Sequence, residues 1–252
     1  MQKTKSLRAR LAKIALVAGF ALGFVANANA ASWDKDEFAK FSADKGANTQ
    51  ILIIGANGSV AKLATQGFLQ STNANLKLFL RNSNRLAKLA QQYPQRVQLV
   101  EGNALDTNAL KSAMKGINVV YANLAGRDLG KMAQAITQAM KETGVKRLVW
   151  VGSFGVYDEI PEYEMDRIRA YNPPHREAVR VIEASGLDYT IIRAQWFSSA
   201  DEIDYELTQK GEKFKNPSAQ ISRKSIAHLV IRLCLEKDFG VKQSLGINKP
   251  AR

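Results

Sequence analysis

The chain has 252 residues, 46% hydrophobic and 23% charged, with a formal net charge of +13. A single cysteine, Cys234, excludes an internal disulfide, and two histidines without ligand spacing give no support for a metal site. The basic residues are spread along helical faces without a long run, so we do not expect nucleic-acid binding. They form solvated helix faces or an electropositive rim that attracts a phosphorylated ligand.

The first thirty residues have the order of a bacterial secretory signal peptide. Five basic residues precede an apolar run from Ile14 to Val25, and Ala28 and Ala30 form a small-x-small cleavage pattern before Ala31. The run is about twelve residues long, whereas a spanning helix needs roughly twenty. We therefore expect residues 1–30 to be cleaved and the protein to be exported to the periplasm without stable membrane insertion. An uncleaved N-terminal anchor is the alternative.

The remaining chain divides into an extension, residues 31–48, and one domain, residues 49–252. The extension is polar apart from Trp33, Phe38 and Phe41, and we expect a short amphipathic helix that packs on the domain or is loosely held. The domain alternates apolar runs with helix-like segments. The predicted strands are Gln50–Ile54, Leu76–Leu80, Val97–Val100, Asn118–Asn123, Arg147–Val151 and Tyr189–Ile192. The predicted helices are Val60–Gln70, Asn84–Tyr93, Thr107–Met114, Leu129–Glu142 and Glu177–Ser185.

Continuously apolar strands separated by helices indicate a parallel sheet covered on both faces. The predicted fold class is therefore α/β, a doubly wound parallel sheet of the Rossmann type. Ligands of such sheets bind outside the carboxyl ends of the strands. We therefore expect the functional residues on the loops that follow residues 54, 80, 123, 152 and 193.

The loop after the first predicted strand carries Gly55 and Gly58, and Ala61 stands where a third glycine is usual. Alanine is tolerated there because that position only has to let helix and strand approach closely. The loop opens a helix, whose N-terminus favours a dinucleotide pyrophosphate. A tight turn without a ligand is the alternative. The residues predicted to bind the pyrophosphate through backbone N–H groups are Asn57, Gly58, Ser59 and Val60.

The second predicted strand ends in Arg81, and no carboxylate follows it closely. An acidic residue at this point would bind a free ribose 2′-hydroxyl, whereas arginine suits a 2′-phosphate. An arginine–phosphate contact contributes on the order of 1.5–3 kcal/mol. The sequence therefore predicts NADP(H) as the cofactor, with Arg81 as an ordinary surface residue as the alternative.

Several segments occur together in an order and spacing typical of one superfamily. They are Gly55-Ala-Asn-Gly58, Arg81, Glu101–Asp106, Val149–Ser153 and Ser185–Arg193. Together they resemble the atypical short-chain dehydrogenase/reductases that bind NAD(P)H, especially the NmrA-like and the flavin reductase/biliverdin reductase B-like proteins. The resemblance covers roughly residues 49–235.

The resemblance implies roles for three further segments. Asn103 and Ala104 would lie near the adenine, with Asn103 in place of the family's first aspartate. The stretch Asn123, Leu124, Ala125 would pass beneath the adenosine ribose and pyrophosphate. The family also places a serine or threonine beside the nicotinamide, which here is Ser153.

The sequence departs from the family at the acid–base pair. Typical members use Tyr-x-x-x-Lys, whereas this chain has Tyr171-Asn-Pro-Pro-His175. His175 could hold the ribose hydroxyls or donate a proton, or it could simply begin a helix. Because of the two prolines, we expect Tyr171 and His175 not to share one helical turn.

Reduction of a stacked, planar acceptor needs less from an acid–base pair, because positioning supplies much of the catalysis. Ser153 or Tyr157 could donate the necessary hydrogen bond. The loops after the fifth and sixth predicted strands carry the aromatic residues Phe154, Tyr157, Trp196 and Phe197. They could form an apolar acceptor pocket, or they could be ordinary loop packing.

The leading hypothesis is thus an NADPH-dependent oxidoreductase that transfers a hydride to a small planar acceptor such as a flavin, a quinone or a related carbonyl. A non-catalytic NADP(H)-binding sensor of the NmrA-like kind is the alternative. The hypothesis of an isomerase or epimerase has less support, because the sequence shows no second catalytic base. We expect a monomer or a homodimer. Export fits poorly with NADP(H), which is a cytosolic cofactor.

Overall fold

The structure is a computed structural model that describes residues 32–251. The predicted signal peptide, residues 1–30, lies outside the described residues. Among the helices of residues 32–251, none is long and apolar enough to cross a membrane.

Six parallel strands form the centre of the fold. They are β1 (Gln50–Ile54), β2 (Asn75–Leu80), β3 (Val97–Glu101), β4 (Val119–Ala122), β5 (Arg147–Ser153) and β6 (Asp188–Ala194). Their order across the sheet is β3-β2-β1-β4-β5-β6, and each neighbouring pair is parallel. The predicted doubly wound sheet is confirmed. The strand order reverses between β1 and β4, which opens a crevice at their carboxyl ends.

Helices cover both faces of this sheet. They are α1 (Ser59–Ser71), α2 (Ala87–Gln92), α3 (Thr107–Ala113), α4 (Leu129–Thr143), α5 (Glu162–Ile168), α6 (Asn172–Glu183) and α7 (Arg223–Leu235). Successive side chains of a strand point to opposite faces, so β1 buries Ile51 and Ile53 against α1 and α7. Leu52 and Ile54 are buried with α3, α4 and α6 on the other face. Because both faces are covered, the strand is apolar throughout. The predicted helix Asn84–Tyr93 is divided into a 3-10 turn, Ser83–Leu86, and α2.

Four further strands come from the last sixty residues. They are β7 (Trp196–Ser198), β8 (Glu206–Thr208), β9 (Gln220–Ser222) and β10 (Gln243–Asn248). β10 extends the sheet beside β6, and β8 pairs antiparallel with β10. β7 and β9 form a separate parallel pair in which Ser198 lies opposite Ser222. This pairing brings the chain before α7 next to the loop that follows β6.

The extension before β1 differs from its prediction. Residues 35–41 and 43–48 form successive turns, with backbone hydrogen bonds such as Phe41 N–H to Phe38 O at 3.1 Å, and the expectation of an amphipathic helix was wrong. Side chains compete for the backbone here, since Asp44 Oδ1 accepts from Gly46 N–H at 2.9 Å. Trp33 and Phe38 are nevertheless buried in the core that contains α1 and α7.

Candidate cofactor and acceptor site

Two adjoining cavities open at the carboxyl ends of the parallel strands. The first cavity has a volume of about 630 Å³ and the second about 640 Å³. The first lies over β1, β2 and the loop after β3, and the second reaches from the start of α1 to the loops after β5 and β6. The residues that line both cavities, and so join them, are Gly58, Asn123, Leu124 and Ala125.

The loop between β1 and α1 needs glycine at two positions because the end of β4 lies directly against it. Gly55 has φ +80°, and a Cβ atom there would lie 2.2 Å from the carbonyl oxygen of Asn123. A Cβ atom at Gly58 would lie 2.1 Å from Asn123 Nδ2. Gly58 N–H donates to Gly55 O at 2.9 Å and closes the turn. The third position, Ala61, is completely buried, as a contact between helix and strand requires.

The N-terminus of α1 lies where the two cavities join, and no side chain caps its backbone N–H groups. Gly58 is the N-cap and provides no side-chain hydrogen bond, and the first turn of α1 contains no acidic residue. Ser59 and Val60, the first two residues of α1, line the second cavity. Unpaired N–H groups and the positive end of a helix dipole bind phosphate groups. The loop and the helix start therefore have the chemistry and the close backbone approach that a dinucleotide pyrophosphate requires.

Basic side chains mark the far end of the first cavity. Arg81 and Arg85 line it, both are exposed, and no Asp or Glu appears among its described lining residues. Glu101 accepts hydrogen bonds from Ser83 N–H at 2.9 Å and Ser83 Oγ at 2.7 Å, and these bonds lower the pKa of its carboxyl group. Glu101 itself does not line the cavity, so Arg81 and Arg85 make this end of the cavity suited to an anion.

The loop after β3 forms another wall of the first cavity. Asn103 and Ala104 line it, and Asn103 Oδ1 accepts from Leu105 N–H at 3.1 Å. Asp106 caps α3 by accepting from the backbone N–H groups of residues 108 and 109. Asp106 is therefore used within the protein, and the Asn103 side chain lies at the cavity.

Aromatic side chains wall the second cavity around Ser153, the last residue of β5. Phe154 is buried, Trp196 is half-buried and Phe197 is 38% exposed, and all three line the cavity with Ser153. Phe154 and Trp196 meet edge to face with ring centroids 5.9 Å apart. Trp196 Nε1 donates to Glu164 Oε2 at 2.9 Å, which fixes the indole. This wall offers flat apolar surface to a ligand.

Tyr157 lies apart from these residues. It lines neither cavity, and its hydroxyl donates to Glu183 Oε1 at 2.7 Å. Burial, together with the Glu183 carboxylate, raises the pKa of this phenol well above its usual range. The structure therefore does not bring Tyr157 together with Ser153.

Tyr171 and His175 both line the second cavity, and the expectation that the prolines would prevent a helical turn between them was wrong. α6 begins at Asn172, so Pro173 and Pro174 lie in its first turn, where the backbone needs no intrahelical N–H donor. Tyr171 is the N-cap, and both Tyr171 and His175 line the cavity. The buried His175 Nδ1 has no hydrogen-bond partner among the described residues, and burial lowers the imidazole pKa. The second cavity is therefore lined by an imidazole whose pKa favours the neutral form.

Comparison with known proteins identifies the family of the chain. Residues 55–237 match the model of a family described as NAD(P)H-binding. The chain belongs to this NAD(P)H-binding family, as its motifs predicted. The residues that join the two cavities are its candidate cofactor cradle.

Solved structures and curated proteins agree with this assignment. A Rossmann-fold NAD(P)-binding family protein from Shigella flexneri is 36% identical, with 81% of this chain and 94% of that chain covered and a TM-score of 0.69. A short-chain dehydrogenase/reductase from Veillonella parvula, in complex with NADP, is 24% identical over 81% and 95% of the two chains, with a TM-score of 0.74, and shares the fold. An isoflavone reductase-like protein of Olea europaea is 26% identical over 160 residues, 60% of this chain. The chain spans about half the length of the curated relatives it matches.

A buried ion pair stabilises the loop after β5 in the NAD(P)H-binding domain. Sequence reasoning missed this pair. Arg193 at the end of β6 and Glu159 lie 3.0 Å apart, with side-chain exposures of 0% and 2%. Glu159 also accepts from Gly155 N–H at 3.0 Å and Tyr157 N–H at 2.9 Å. The pair thereby fixes the backbone that carries Phe154. In the sequence, Arg193 stands out only as the last residue of the family motif Ser185–Arg193.

Two further residues line the second cavity. Gln195 lies on the loop after β6, where the sequence predicts functional residues. It donates to Asn216 O at 3.1 Å and accepts from Lys249 N–H at 2.9 Å, so the wall after β6 is tied to the C-terminal segment. Arg223, the first residue of α7, was missed. It lies in no sequence pattern that indicates a site, because tertiary pairing of β7 with β9 brings it there.

Proposed function

We propose that the protein is an NADPH-dependent reductase of a planar, conjugated acceptor such as a flavin, a quinone or a related carbonyl. The observation that carries the proposal is the aromatic-walled second cavity, which continues directly from the cofactor cradle at the end of β5. Positioning a flat acceptor against such a wall supplies much of what hydride transfer needs. The name of the Olea relative, an isoflavone reductase-like protein, is consistent with a conjugated acceptor.

The preference for NADP(H) over NAD(H) rests on the first cavity. Arg81 and Arg85 provide guanidinium groups there, and no carboxylate among the described lining residues would repel a 2′-phosphate. Arg81→Ala should raise the Kd of NADPH about tenfold or more, because a charge-assisted hydrogen bond is lost. The Kd of NADH should change little. Arg180, exposed on α6 and outside both cavities, provides the matched Arg→Ala control.

The bound nicotinamide supplies the hydride, and the chain's own residues orient the acceptor. Ser153 has a hydroxyl at the end of β5 that can donate a hydrogen bond to a polar atom of the acceptor. His175 lines the same cavity, and its neutral imidazole can form a hydrogen bond with the acceptor or the cofactor. Phe154, Trp196 and Phe197 exclude water from one side of the cavity.

A panel of riboflavin, FMN, quinones and conjugated carbonyls tests the reaction. With NADPH present, the loss of the reduced nicotinamide's absorbance should depend on one class of acceptor. Trp196→Ala should raise the acceptor KM while leaving the Kd of NADPH unchanged. Cofactor binding without turnover of any acceptor would exclude the reductase.

A non-catalytic NADP(H)-binding sensor is the second candidate. It is favoured by the absence of lysine from the described lining of the second cavity and by the engagement of Tyr157 with Glu183. In that case NADPH binding should change the retention of a partner protein while no acceptor is reduced.

We propose, from the residues before Ala31, that the protein is exported to the periplasm. Cell fractionation and the N-terminal sequence of the mature protein test this proposal. An N-terminus at Ala31 in the periplasmic fraction is expected, whereas an intact N-terminus in the cytoplasm would contradict it. A membrane-bound, uncleaved form would indicate the N-terminal anchor.

A further inference from the structure

Arg223 joins the C-terminal part of the chain to the start of α1. It is the first residue of α7, and its Nε lies 3.2 Å from the Oγ of Ser59, a residue 164 positions away in sequence. Ser59 is the first residue of α1, where the cofactor cradle presents its backbone N–H groups. Arg223 and Ser59 both line the second cavity. A guanidinium group is thus held beside the predicted position of the cofactor's diphosphate.

The guanidinium is positioned by protein contacts that leave part of it available. Nη1 donates to Ser198 O at 2.9 Å and to Ser199 Oγ at 3.2 Å. The guanidinium carbon lies 5.4 Å from the centre of the Phe197 ring. Nη2 makes no hydrogen bond to any residue of the described chain. An arginine fixed through two of its nitrogens, with the third available, is preorganised to bind an oxyanion.

The charge of Arg223 is not balanced by the protein. A cation in the first turn of a helix lies at the positive end of the helix dipole, which is unfavourable. The adjacent Lys224 pairs with Asp201 at 2.6 Å, but Arg223 forms no ion pair within residues 32–251. Arg223 also carries the only formal charge among the described residues that line the second cavity, if His175 is neutral. The cavity therefore contains a cation that a bound anion would complement.

We propose that Arg223 binds the diphosphate of NAD(P)H beside the start of α1. The inference rests on the proposed cofactor site but not on turnover. The contact with Ser59 favours the diphosphate over an anionic group on the acceptor, because Ser59 belongs to the helix start that receives phosphate. Arg223 then differs from Arg81 in a measurable way, since both NADPH and NADH carry the diphosphate but only NADPH carries the 2′-phosphate.

Fluorescence titration of NADPH and NADH against Arg223→Met tests the proposal. We expect the Kd of both cofactors to rise by a similar factor, about 10- to 140-fold, which is typical of losing one charge-assisted hydrogen bond. Arg223→Lys, which keeps the charge but not the planar donor group, should give a smaller rise for both. Arg180→Met is the matched control on the exposed face of α6 and should leave both values unchanged. Arg81→Ala should affect NADPH alone.

Thermal unfolding first establishes that each variant is folded. If Arg223→Met is not, Arg223→Gln replaces it, because the amide can still donate to the Ser198 carbonyl. Unchanged Kd values for both cofactors in a folded Arg223 variant would overturn the proposal. Unchanged cofactor affinity with a higher KM for FMN but not for riboflavin would also overturn it and assign Arg223 to an anionic acceptor. Absence of turnover in wild-type protein that binds NADPH would contradict the reductase without affecting this test.

Discussion

Replacement of Gly55 by alanine tests the close approach between the β1–α1 loop and the end of β4. Two costs are expected. Gly55 has φ +80°, and a left-handed conformation costs a residue with a Cβ atom roughly 1–2 kcal/mol. The new Cβ atom would also lie 2.2 Å from the backbone carbonyl oxygen of Asn123, which cannot rotate away as a side chain could. Overpacking of this kind costs about 1–3 kcal/mol.

Gly116→Ala separates these two costs. Gly116 has φ +74°, and nothing lies within 4 Å of a Cβ atom built on it. Both substitutions therefore impose the conformational cost, and only Gly55→Ala imposes the overlap. We expect Gly55→Ala to lower the free energy of unfolding by about 1–3 kcal/mol more than Gly116→Ala does.

Urea denaturation measures the free energy of unfolding, and fluorescence titration measures the Kd of NADPH. Gly55→Ala should weaken NADPH binding, because relief of the overlap displaces the loop that carries the cradle. Gly116→Ala should leave the Kd unchanged. Equal destabilisation by the two substitutions, with equal NADPH affinity, would refute the claim that the Asn123 carbonyl after β4 leaves space only for glycine at residue 55.

Three further predictions concern stability. Glu159→Gln should lower the free energy of unfolding by about 3–5 kcal/mol, because Arg193 is left charged and unpaired in the interior. The free energy of unfolding should also fall as the pH is lowered through the range below about 6.5, because burial lowers the pKa of His175 and protonation therefore favours the unfolded chain. His175→Asn should reduce this dependence. Phe38→Ala should cost about 3–5 kcal/mol, since Phe38 is completely buried, and Phe41→Ala, at a half-buried site, should cost less. Urea denaturation measures each change, at several pH values for His175.

Each of these predictions has an outcome that contradicts it. Replacing both members of the ion pair, by Glu159→Gln with Arg193→Met, should restore part of the loss, and a further large loss would show that the charge is not the cause. A pH dependence unaltered by His175→Asn would show that His175 is not its source, since burial also lowers the pKa of His228. Equal effects of the two phenylalanine substitutions would mean that the extension is not part of the core.

The sequence predicted the six central strands because each is an apolar run bounded by polar or glycine-containing segments. Predicted and observed ends differ by at most two residues, for example at Arg147–Ser153. The helix that contains His175 begins at Asn172, five residues before the predicted start at Glu177. Proline interrupts the interior of a helix but is well tolerated in the first turn, where Pro173 and Pro174 lie. The prediction of a helix in the extension failed for a different reason. Asp44 forms a local hydrogen bond with the backbone, and the apolar residues of the extension pack against helices distant in sequence.

The sequence by itself determined the fold and predicted the glycine loop that the candidate cofactor cradle contains. The spacing of Gly55 and Gly58 after an apolar strand is a local property, and so is Arg81 at the end of the next strand. Local patterns of this kind determine where a loop must turn and which backbone groups a helix start presents. They were sufficient to predict a nucleotide-binding Rossmann sheet and the identity of its ligand class.

Only the tertiary structure decided which residues surround the second cavity. It placed Tyr157 against Glu183, set Tyr171 and His175 at the same cavity, and brought Arg223 next to Ser59. These outcomes depend on pairings between segments far apart in the chain, such as β7 with β9, whose strands are three residues long. A strand of that length has too few residues for an apolar period to appear in sequence, so its partner is selected by packing alone.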